Sequence, residues 1–387
     1  MKKFLDCISI VGATPSKFHG TKKYVSTGAV ATTEIDESEV VEVTYEDRPS
    51  RANLSAEAGD ILFAKMQGTR KTLLLDSETE KNIYSTGFYA VRANPEVITT
   101  ECLYYLIDSE LFLAQKDKNC SGATQKAITN GGMAKIEISV PALSEQGILV
   151  DKLKHLTQLI ADKKKQLNLF DEIIKSRFIE MFGTLSSNEQ NFEVSTIESL
   201  CSLIKDGTHQ TPTYTEDTIN GFKFLSSKDV MSKKIDWSDI KYIPSDLHEK
   251  LYAVVKPIKN DILMSKNGVN YGVAAVNDTD EVFDIYVSLA LLRPKTDLIN
   301  PVYFRSAINS PDTKRQFDSS IKGIGVPNLH LGEIKKTKIL VPPVDKQNEY
   351  VSFVEQVDKS KFYIVQMQIL LRLLIRVIQQ KTTEVLL

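Results

Sequence analysis

The sequence predicts an α+β fold made of two similar domains and two long helices that pair as an antiparallel coiled coil. Three observations predict it: an internal repeat with a constant offset, short β-type runs in each copy, and a long heptad pattern after each copy. Because the two copies share one pattern, we expect a pseudo-twofold relationship between the halves of the chain.

The internal repeat is clearest in one strand-like run. GDILFAK at 59–65 reappears as NDILMSK at 260–266, 201 residues later. The same offset relates Arg92 to Arg293, Val140 to Val341, and Gln146 to Gln347. Chance matches would not keep one register over such a length, so we interpret the pattern as a duplication.

Each copy divides into a folded domain and a helix. Pro141 and Pro342 end the last strand of each domain, because proline cannot continue a β-ladder. Ser144 and Asp345 follow as predicted N-cap residues. The predicted boundaries are domain one at 1–143, a central helix at 144–185, domain two at 186–344 and a C-terminal helix at 345–387.

Apolar residues in both helical segments alternate four and three positions apart, which is the spacing of a coiled-coil seam. The predicted apolar seam positions are Leu149, Leu153, Leu156, Ile160, Leu167, Phe170, Ile174, Val354, Val357, Ile364, Leu371, Ile375 and Ile378. Polar residues interrupt the seam at Lys163, Arg177, Lys361 and Gln368. Each helix of about 35 residues would be ~50 Å long, too long for one small domain to cover, so we expect the helices to bury each other.

The composition limits the possible classes of protein. With 42% hydrophobic and 25% charged residues, the chain resembles an ordinary globular protein. The four cysteines are scattered without CxxC spacing, which argues against a zinc knuckle or a disulfide framework. The N-terminal segment is a poor signal peptide and no apolar run looks long enough to span a bilayer, so we expect a cytoplasmic protein that has no membrane partner.

Several motifs resemble one known family. GATPS at 12–16 and DGTHQTPTY at 206–214 look like its domain starts, and SRFIEMFG at 176–183 looks like the end of its central helix. The junctions VPALSEQGILVDKL and VPPVDKQNEYVSFV look like its conserved-region openings. Together with the duplication, these motifs make essentially the whole chain similar to the specificity (S) subunit of type I restriction–modification systems. The second helix departs from the pattern, because it ends in IRVIQQKTTEVLL without a matching MFG.

The resemblance implies a function. Each domain would be a target recognition domain that reads one half of a bipartite site in double-stranded DNA. The helices would set the spacer and bind two methyltransferase (M) subunits, and restriction/translocase (R) subunits would join that core. The chain itself would be non-catalytic and would hold no cofactor, while S-adenosylmethionine, ATP and Mg would be bound by the partner subunits.

The net charge of −2 gives no support to nucleic-acid binding, so any DNA contact must come from local patches or be shared with partners. Base reading needs polar side chains on exposed loops, and glycine allows a close backbone approach. These considerations select Lys17, Lys22, Lys23, Lys65, Gln67, Thr69, Arg70, Lys71, Thr124, Gln125, Lys126, Thr208, His209, Gln210, Thr211, Lys266, Asn267, Asn270, Tyr271 and Lys322 as candidate DNA-binding residues. Each of these segments is also compatible with an ordinary surface loop.

Two other functions are considered. Asp312, Glu333 and Lys335 satisfy a loose PD…ExK pattern, so the chain could be a nuclease or the specificity part of a combined nuclease–methyltransferase. The pattern is short, and its repeat equivalents Leu111, Gly132 and Ala134 do not keep it. A coiled-coil adaptor that binds only protein is the other possibility. The histidines and cysteines do not form a recognisable metal-binding motif.

Overall fold

The computed structural model describes residues 1–321 and 327–384. The chain forms two compact units, one comprising Met1–Lys165 and the chain from Ile364 onward, the other comprising Gln166–Tyr363. Each unit contains one α+β domain and a part of each long helix. The candidate Lys322 lies outside the described residues.

The strands of the first unit are short and build two four-stranded sheets and a ribbon. In chain order they are β1 (Lys2–Lys3), β2 (Ile8–Val11), β3 (Lys22–Val25), β4 (Val41–Val43), β5 (Ala52–Leu54), β6 (Ile61–Ala64), β7 (Thr72–Leu74), β8 (Ile83–Ser85), β9 (Phe88–Ala93) and β10 (Glu137–Ile138). The sheet orders are β2-β9-β6-β7 and β4-β3-β8-β5, and β1 pairs with β10. The contact between β3 and β8 is parallel, and the other pairs are antiparallel.

Strand β6 lies in the core because all four of its side chains are buried. Successive side chains of a strand point to opposite faces of the sheet. Accordingly, Ile61 and Phe63 pack into one apolar cluster, and Leu62 and Ala64 pack into another. The sheet is therefore covered on both faces, which accounts for the continuous apolar run in the sequence.

The helices of the first unit are α1 (Thr100–Ile107), α2 (Glu110–Lys118), α3 (Asn130–Met133) and the beginning of α4 (Leu143–Phe182). The hydroxyl of Thr99 accepts a hydrogen bond from the Cys102 amide at the start of α1. Ser109 does the same for the Phe112 amide at the start of α2. These N-caps separate α1 from α2 within one apolar stretch of sequence.

The second unit repeats this organisation. Its strands are β11 (Glu193–Thr196), β12 (Cys201–Asp206), β13 (Phe222–Leu225), β14 (Lys241–Ile243), β15 (Ile262–Ser265), β16 (Ala274–Val276), β17 (Phe283–Ile285), β18 (Leu289–Pro294) and β19 (Lys338–Val341). Their orders are β12-β18-β15-β16, β14-β13-β17 and β11-β19. The helices are the end of α4, α5 (Ile197–Leu200), α6 (Ser245–Tyr252), α7 (Pro301–Ile308), α8 (Pro311–Ser320), α9 (Leu331–Lys336) and the first part of α10 (Val344–Glu384), whose remainder belongs to the first unit. As in β6, the side chains of β15 are all buried.

An ion pair at equivalent positions shows the duplication in three dimensions. Arg92 donates to Asp60 through Nε at 2.6 Å and through a terminal nitrogen at 3.1 Å. Arg293 does the same to Asp261 at 2.8 and 2.9 Å. Each aspartate is buried, so each needs its arginine partner. The prediction of an α+β chain with two similar domains and two long helices in contact is confirmed.

The long helices extend further than predicted. Helix α4 has 40 residues and α10 has 41, against the ~35 expected. Both begin one residue before the predicted caps, at Leu143 and Val344. Ser144 and Asp345 therefore lie in the first turn, where the carboxylate of Asp345 is favourable to the helix dipole. The N-cap positions are therefore 142 and 343, so the prediction of Ser144 and Asp345 as N-caps was wrong by two positions.

The two helices contact each other within each unit. In the second unit, Arg177 bonds Glu349 at 3.3 Å and Lys361 bonds Asp171 at 2.5 Å. Residue numbers fall along α10 as they rise along α4, so the contact is antiparallel. In the first unit, the amide of Gln368 donates to a carbonyl of α4 at 3.4 Å.

The predicted seam lies on the less exposed side of both helices. All the apolar seam positions are buried or half-buried, and so are the four polar interruptions. Three of these, Arg177, Lys361 and Gln368, provide the contacts between α4 and α10. The heptad pattern thus separates the contact side of each helix from its exposed side.

One helix is long and apolar enough to cross a membrane, by length and composition only. It spans Val344–Gln380, and its most apolar window has a mean hydropathy of 1.4 and is 6% buried. The expectation that no apolar run has this character was therefore wrong. Arg372 and Arg376 interrupt the run, so the apolar residues do not form one continuous stretch of sequence.

Candidate nucleic-acid interface

The candidate loop that follows β6 is held in place by a second candidate loop. Met66 forms an isolated β-bridge with Ala127, and the backbone amide of Gln67 donates to the carbonyl of Lys126 at 2.9 Å. The segments 65–71 and 121–128 are therefore neighbours. Their exposed side chains, including those of Gln67, Thr124, Gln125 and Lys126, lie on one surface.

The same pairing occurs in the second unit. Asn267 forms a β-bridge with Asn328, and the Gly268 amide donates to the carbonyl of Pro327 at 3.1 Å. Gly268 has a φ of 86°, a left-handed conformation that glycine adopts at low cost. The sequence places these segments 201 residues from their counterparts, so both domains present an equivalent pair of loops.

The lysines at the start of these loops are internal anchors. Lys65 donates to the Thr86 carbonyl at 2.9 Å and lies 4.3 Å from the centre of the Tyr89 ring, and its burial lowers the pKa of the amine. Lys266 is buried and forms an ion pair with Asp206. Both side chains are committed to the fold rather than displayed on the loop.

Arg70 and Lys71 also have internal partners. Arg70 forms two hydrogen bonds with Asp108, at 3.1 and 2.8 Å. Burial raises the pKa of Asp108, and the arginine opposes that shift. Lys71 donates to the Thr27 carbonyl at 2.5 Å. Arg70 remains partly exposed, with 42% of its side chain accessible, so it can meet a ligand without leaving Asp108.

Lys116 supports the first loop, and the sequence alone did not single it out. Its side chain is 1% exposed. Its amine donates to the carbonyls of Ala64, Met66 and Thr69 at 3.4, 3.0 and 2.7 Å. Burial is the main cause that lowers the pKa of this amine. One feature of the sequence could have indicated this role: the repeat offset places Lys116 at the position of an apolar residue, Phe317.

The second loop is supported by apolar packing of Phe317, which stands at the repeat position of Lys116. Phe317 lies so close to Gly272 that a Cβ there would stand 2.7 Å from the ring. Tyr271 is buried, and its hydroxyl bonds Asp318. The backbone carbonyl of Asn270 accepts from Ser265 at 2.9 Å, while its side chain is exposed. The two loops thus share the pairing with their neighbouring segments but differ in supporting side chains.

A basic patch lies beside strand β3. Lys17 is 3.7 Å from Glu46, and Lys23 is 2.7 Å from Glu37. Lys22 lies 5.3 Å from the centre of the Phe18 ring. Exposed ion pairs of this kind contribute little stability, so phosphate groups can compete for these lysines.

The candidate segment 208–211 follows β12 in the second unit. Thr208 is fixed by the carbonyl of Ile285, which accepts from its amide at 3.0 Å. Thr208, His209 and Gln210 line an open cavity of about 570 Å³, and Thr211 is exposed beside them. His209 lies 3.6 Å from Asp206, the partner of Lys266. Because Asp206 is close to both His209 and Lys266, this segment lies near the base of the second loop.

The residues of the PD…ExK pattern have other partners. The carboxylate of Asp312 accepts from the Leu185 amide at 2.7 Å and pairs with Arg315. Lys335 pairs with Glu198 at 3.1 Å, and Glu333 lies 3.5 Å from Lys336. Within the described residues, no group of three or more His, Cys, Asp or Glu side chains is placed to hold a metal ion.

Comparisons with known proteins agree with this arrangement. The family model described as "Type I restriction modification DNA specificity domain" matches residues 10–169 and 189–373. The chain is 22% identical over 269 residues to the type I restriction enzyme EcoBI specificity subunit of Escherichia coli, which covers 63% of this chain and 56% of that protein. It is 20% identical over 293 residues to the MjaVIII specificity subunit of Methanocaldococcus jannaschii, covering 72% of this chain and 68% of that protein. The matched part of the EcoBI subunit is thus little more than half of its length.

One solved structure has a similar fold. It is described as the structural basis of complex assembly and conformational transition of the type I R-M system, and it aligns with a TM-score of 0.59 over 97% of each chain at 20% identity. The family model matches most of the chain and does so once in each half. This protein therefore belongs to the family of type I restriction–modification DNA specificity subunits.

Proposed function

We propose that this chain is the non-catalytic subunit that gives a type I restriction–modification complex its DNA sequence specificity. The observation that carries the proposal is the presence of one family match in each half, each containing an equivalent pair of adjacent loops. Each domain, as a target recognition domain, reads one half of a bipartite site in double-stranded DNA.

The divergence of the two loop pairs supports different half-sites. The first pair presents Gln67, whose side-chain amide bonds the Asp117 carbonyl, and the partly exposed Arg70. The second pair presents the exposed Asn270, while Asn267 is half-buried with its side-chain oxygen inaccessible. Amide and guanidinium groups are the side chains best suited to bidentate contacts with base edges. Because the pairing of the two segments is shared and the presented groups differ, the two domains are suited to two different base sequences.

The long helices set the spacer between the half-sites and bind two methyltransferase subunits. Exposed apolar residues on the part of α10 in the first unit support this role. They are Val365, Met367, Ile369, Leu370, Leu373, Leu374 and Val377. Large exposed apolar patches mark protein–protein interfaces.

The remaining assignments follow from membership of such a complex. Restriction/translocase subunits join the core formed with the methyltransferases. S-adenosylmethionine, ATP and Mg are bound by those partners, and this chain needs no cofactor of its own. We assign the complex to the cytoplasm, with partner subunits rather than a membrane covering the apolar side of α10.

Co-expression with the partner methyltransferase tests the proposal. Sequencing that detects methylated adenine should show a split motif with a fixed, unread gap. Replacing residues 1–143 by those of another family member should change one half of the motif and leave the other half and the gap unchanged. The matched control replaces residues 186–344 and should change only the other half. The proposal is wrong if neither replacement alters the motif.

A further inference from the structure

A cavity of about 130 Å³ lies in the second unit, away from the recognition loops. Helix α4 contributes Ile174 and Phe178 to its apolar wall, and α10 contributes Tyr350. The loop at 232–234 and helix α7 complete the lining. An engineered cavity of ~150 Å³ admits a benzene molecule, so this one has room for a group of similar size.

The charges around the cavity do not balance. Five cationic side chains line it, belonging to Lys175, Lys233, Lys234, Arg305 and Lys361, and two carboxylates, Asp171 and Asp358. Both carboxylates are already paired, Asp171 with Lys361 at 2.5 Å and Asp358 with Lys234 at 3.1 Å. In the described part of the chain, three cations remain without an ion pair.

Lys233 is the most constrained of the three unpaired cations. It is half-buried, and its φ of 62° is a left-handed conformation unusual for a residue with a side chain. Burial lowers the pKa of its amine, and the neighbouring charges of Lys175 and Arg305 act in the same direction. An anion in the cavity would offset both the burial and the repulsion.

Tyr350 adds a hydrogen-bond donor. The residue is fully buried. Among the described residues, its hydroxyl has no partner at hydrogen-bonding geometry, although the side chain of Ser306 is close. A buried hydroxyl that lacks a partner costs free energy, and an oxyanion at the cavity wall would supply the missing acceptor.

The first unit does not share this charge pattern. The repeat offset places Tyr104 at the position of Arg305, and Ile160 at that of Lys361. Leu149 stands at the position of Tyr350. The cluster is therefore a property of the second unit and not part of the duplicated scaffold that supports the recognition loops.

We propose that this cavity binds the phosphate group of a small phosphorylated molecule, with Lys233 and Arg305 as its ion-pair partners and the Tyr350 hydroxyl as a donor. Lys175, at the exposed rim, adds the third charge. Three unpaired cations match a dianion better than a single carboxylate. The size of the cavity fits the phosphate and a small attached portion, while the rest of the molecule extends outward.

Isothermal titration of the full chain with inorganic phosphate, and separately with AMP, tests the proposal. Lys233→Gln and Arg305→Gln should each raise the Kd by about tenfold or more, because each removes a charge-assisted hydrogen bond. Lys359→Gln is the matched control, since it removes one exposed charge from the same α10 helix and should leave the Kd unchanged. If Arg305→Gln does not fold, Lys175→Gln at the exposed rim takes its place.

Three results would overturn the assignment. Equal phosphate affinity in Lys233→Gln and Lys359→Gln would place the bound phosphate elsewhere. Glutamate binding as tightly as phosphate would mean that the cavity accepts a protein carboxylate instead. A short DNA duplex that displaces AMP from the parent protein, and whose own binding is weakened by Lys233→Gln, would make the site a contact for the DNA backbone.

Discussion

The side chain of Gln347 accepts a hydrogen bond from the backbone amide of Asn300 at 2.8 Å, which ties the start of α10 to the start of α7. Its amide nitrogen also donates to the carbonyls of Leu298 at 3.1 Å and Pro342 at 2.8 Å. Gln146 makes the equivalent three bonds in the first unit. Both glutamines are fully buried, so the repeat keeps a hydrogen-bonded joint between each domain and its helix.

Replacing Gln347 by methionine should destabilise the second unit. The change keeps the side-chain length but leaves an amide and two carbonyls buried without partners, at a cost of about 1–3 kcal/mol. Trp237 is the single tryptophan and packs against Phe283 in that unit, so its fluorescence reports the unfolding. The urea midpoint followed by this signal should fall.

The controls for this prediction lie on the same helix and in the other unit. Gln356→Met changes an exposed side chain of α10 and should leave the midpoint unchanged. Gln146→Met removes the joint of the first unit and should shift the tryptophan signal less than Gln347→Met. An unchanged midpoint in Gln347→Met would contradict the role of the joint.

Lys116→Met should loosen the first recognition loop. The variant removes hydrogen bonds to the carbonyls of Ala64, Met66 and Thr69, and because the lysine is buried, solvent cannot readily replace it. Hydrogen–deuterium exchange should become faster for amides 66–70, while those of β6 keep their protection. Lys118→Met, at the end of the same helix, is the control. Unchanged exchange in the loop would show that its conformation does not depend on Lys116.

The fold could be predicted from the sequence in more detail than the DNA-binding interface could. The seam is periodic, so Leu153 and Val357 could be assigned to it from spacing alone. The partners of loop side chains are not periodic, because they come from distant parts of the chain. Arg70, for example, bonds Asp108, 38 residues away. Whether a loop cation is exposed or internal is therefore fixed by tertiary contacts that spacing does not reveal.

The lysines of the patch beside β3 should contribute to DNA binding by neutralising phosphates. We expect the triple variant Lys17→Gln, Lys22→Gln, Lys23→Gln to show a shallower slope of log K against the logarithm of the salt concentration. The slope should fall in magnitude by about 0.9 for each phosphate that the variant no longer neutralises. The change in slope should be the same for cognate and unrelated duplexes, because phosphates carry no sequence information. Lys135→Gln removes an exposed charge of the same unit as a control. A slope identical to that of the parent protein would exclude the patch from the interface.

Thiol reactivity should distinguish Cys120 from the other cysteines. Burial raises the pKa of both Cys102 and Cys201 to about 12, so at pH 8 almost none of either thiol is ionised. Cys7 is buried as well, whereas Cys120 is partly exposed. Iodoacetamide should therefore modify Cys120 first in the native protein, and mass spectrometry of the peptides can measure the order. Rapid modification of Cys102 would contradict the burial of its side chain on the core-facing side of helix α1.

The exposed side of α10 should be required for partner binding but not for folding. Leu370 and Leu374 have exposed fractions of 65% and 46% and lie one helical turn apart. Replacing both by glutamate should leave the thermal midpoint of the isolated chain within about 2 °C, because neither side chain is in the seam. The same variant should no longer co-purify with the methyltransferase, since two charges would be buried without partners. Leu371→Ala is the matched comparison: it weakens the seam, so it should lower the midpoint while leaving the exposed surface intact. Retained co-purification of the double glutamate variant would assign the methyltransferase to another surface.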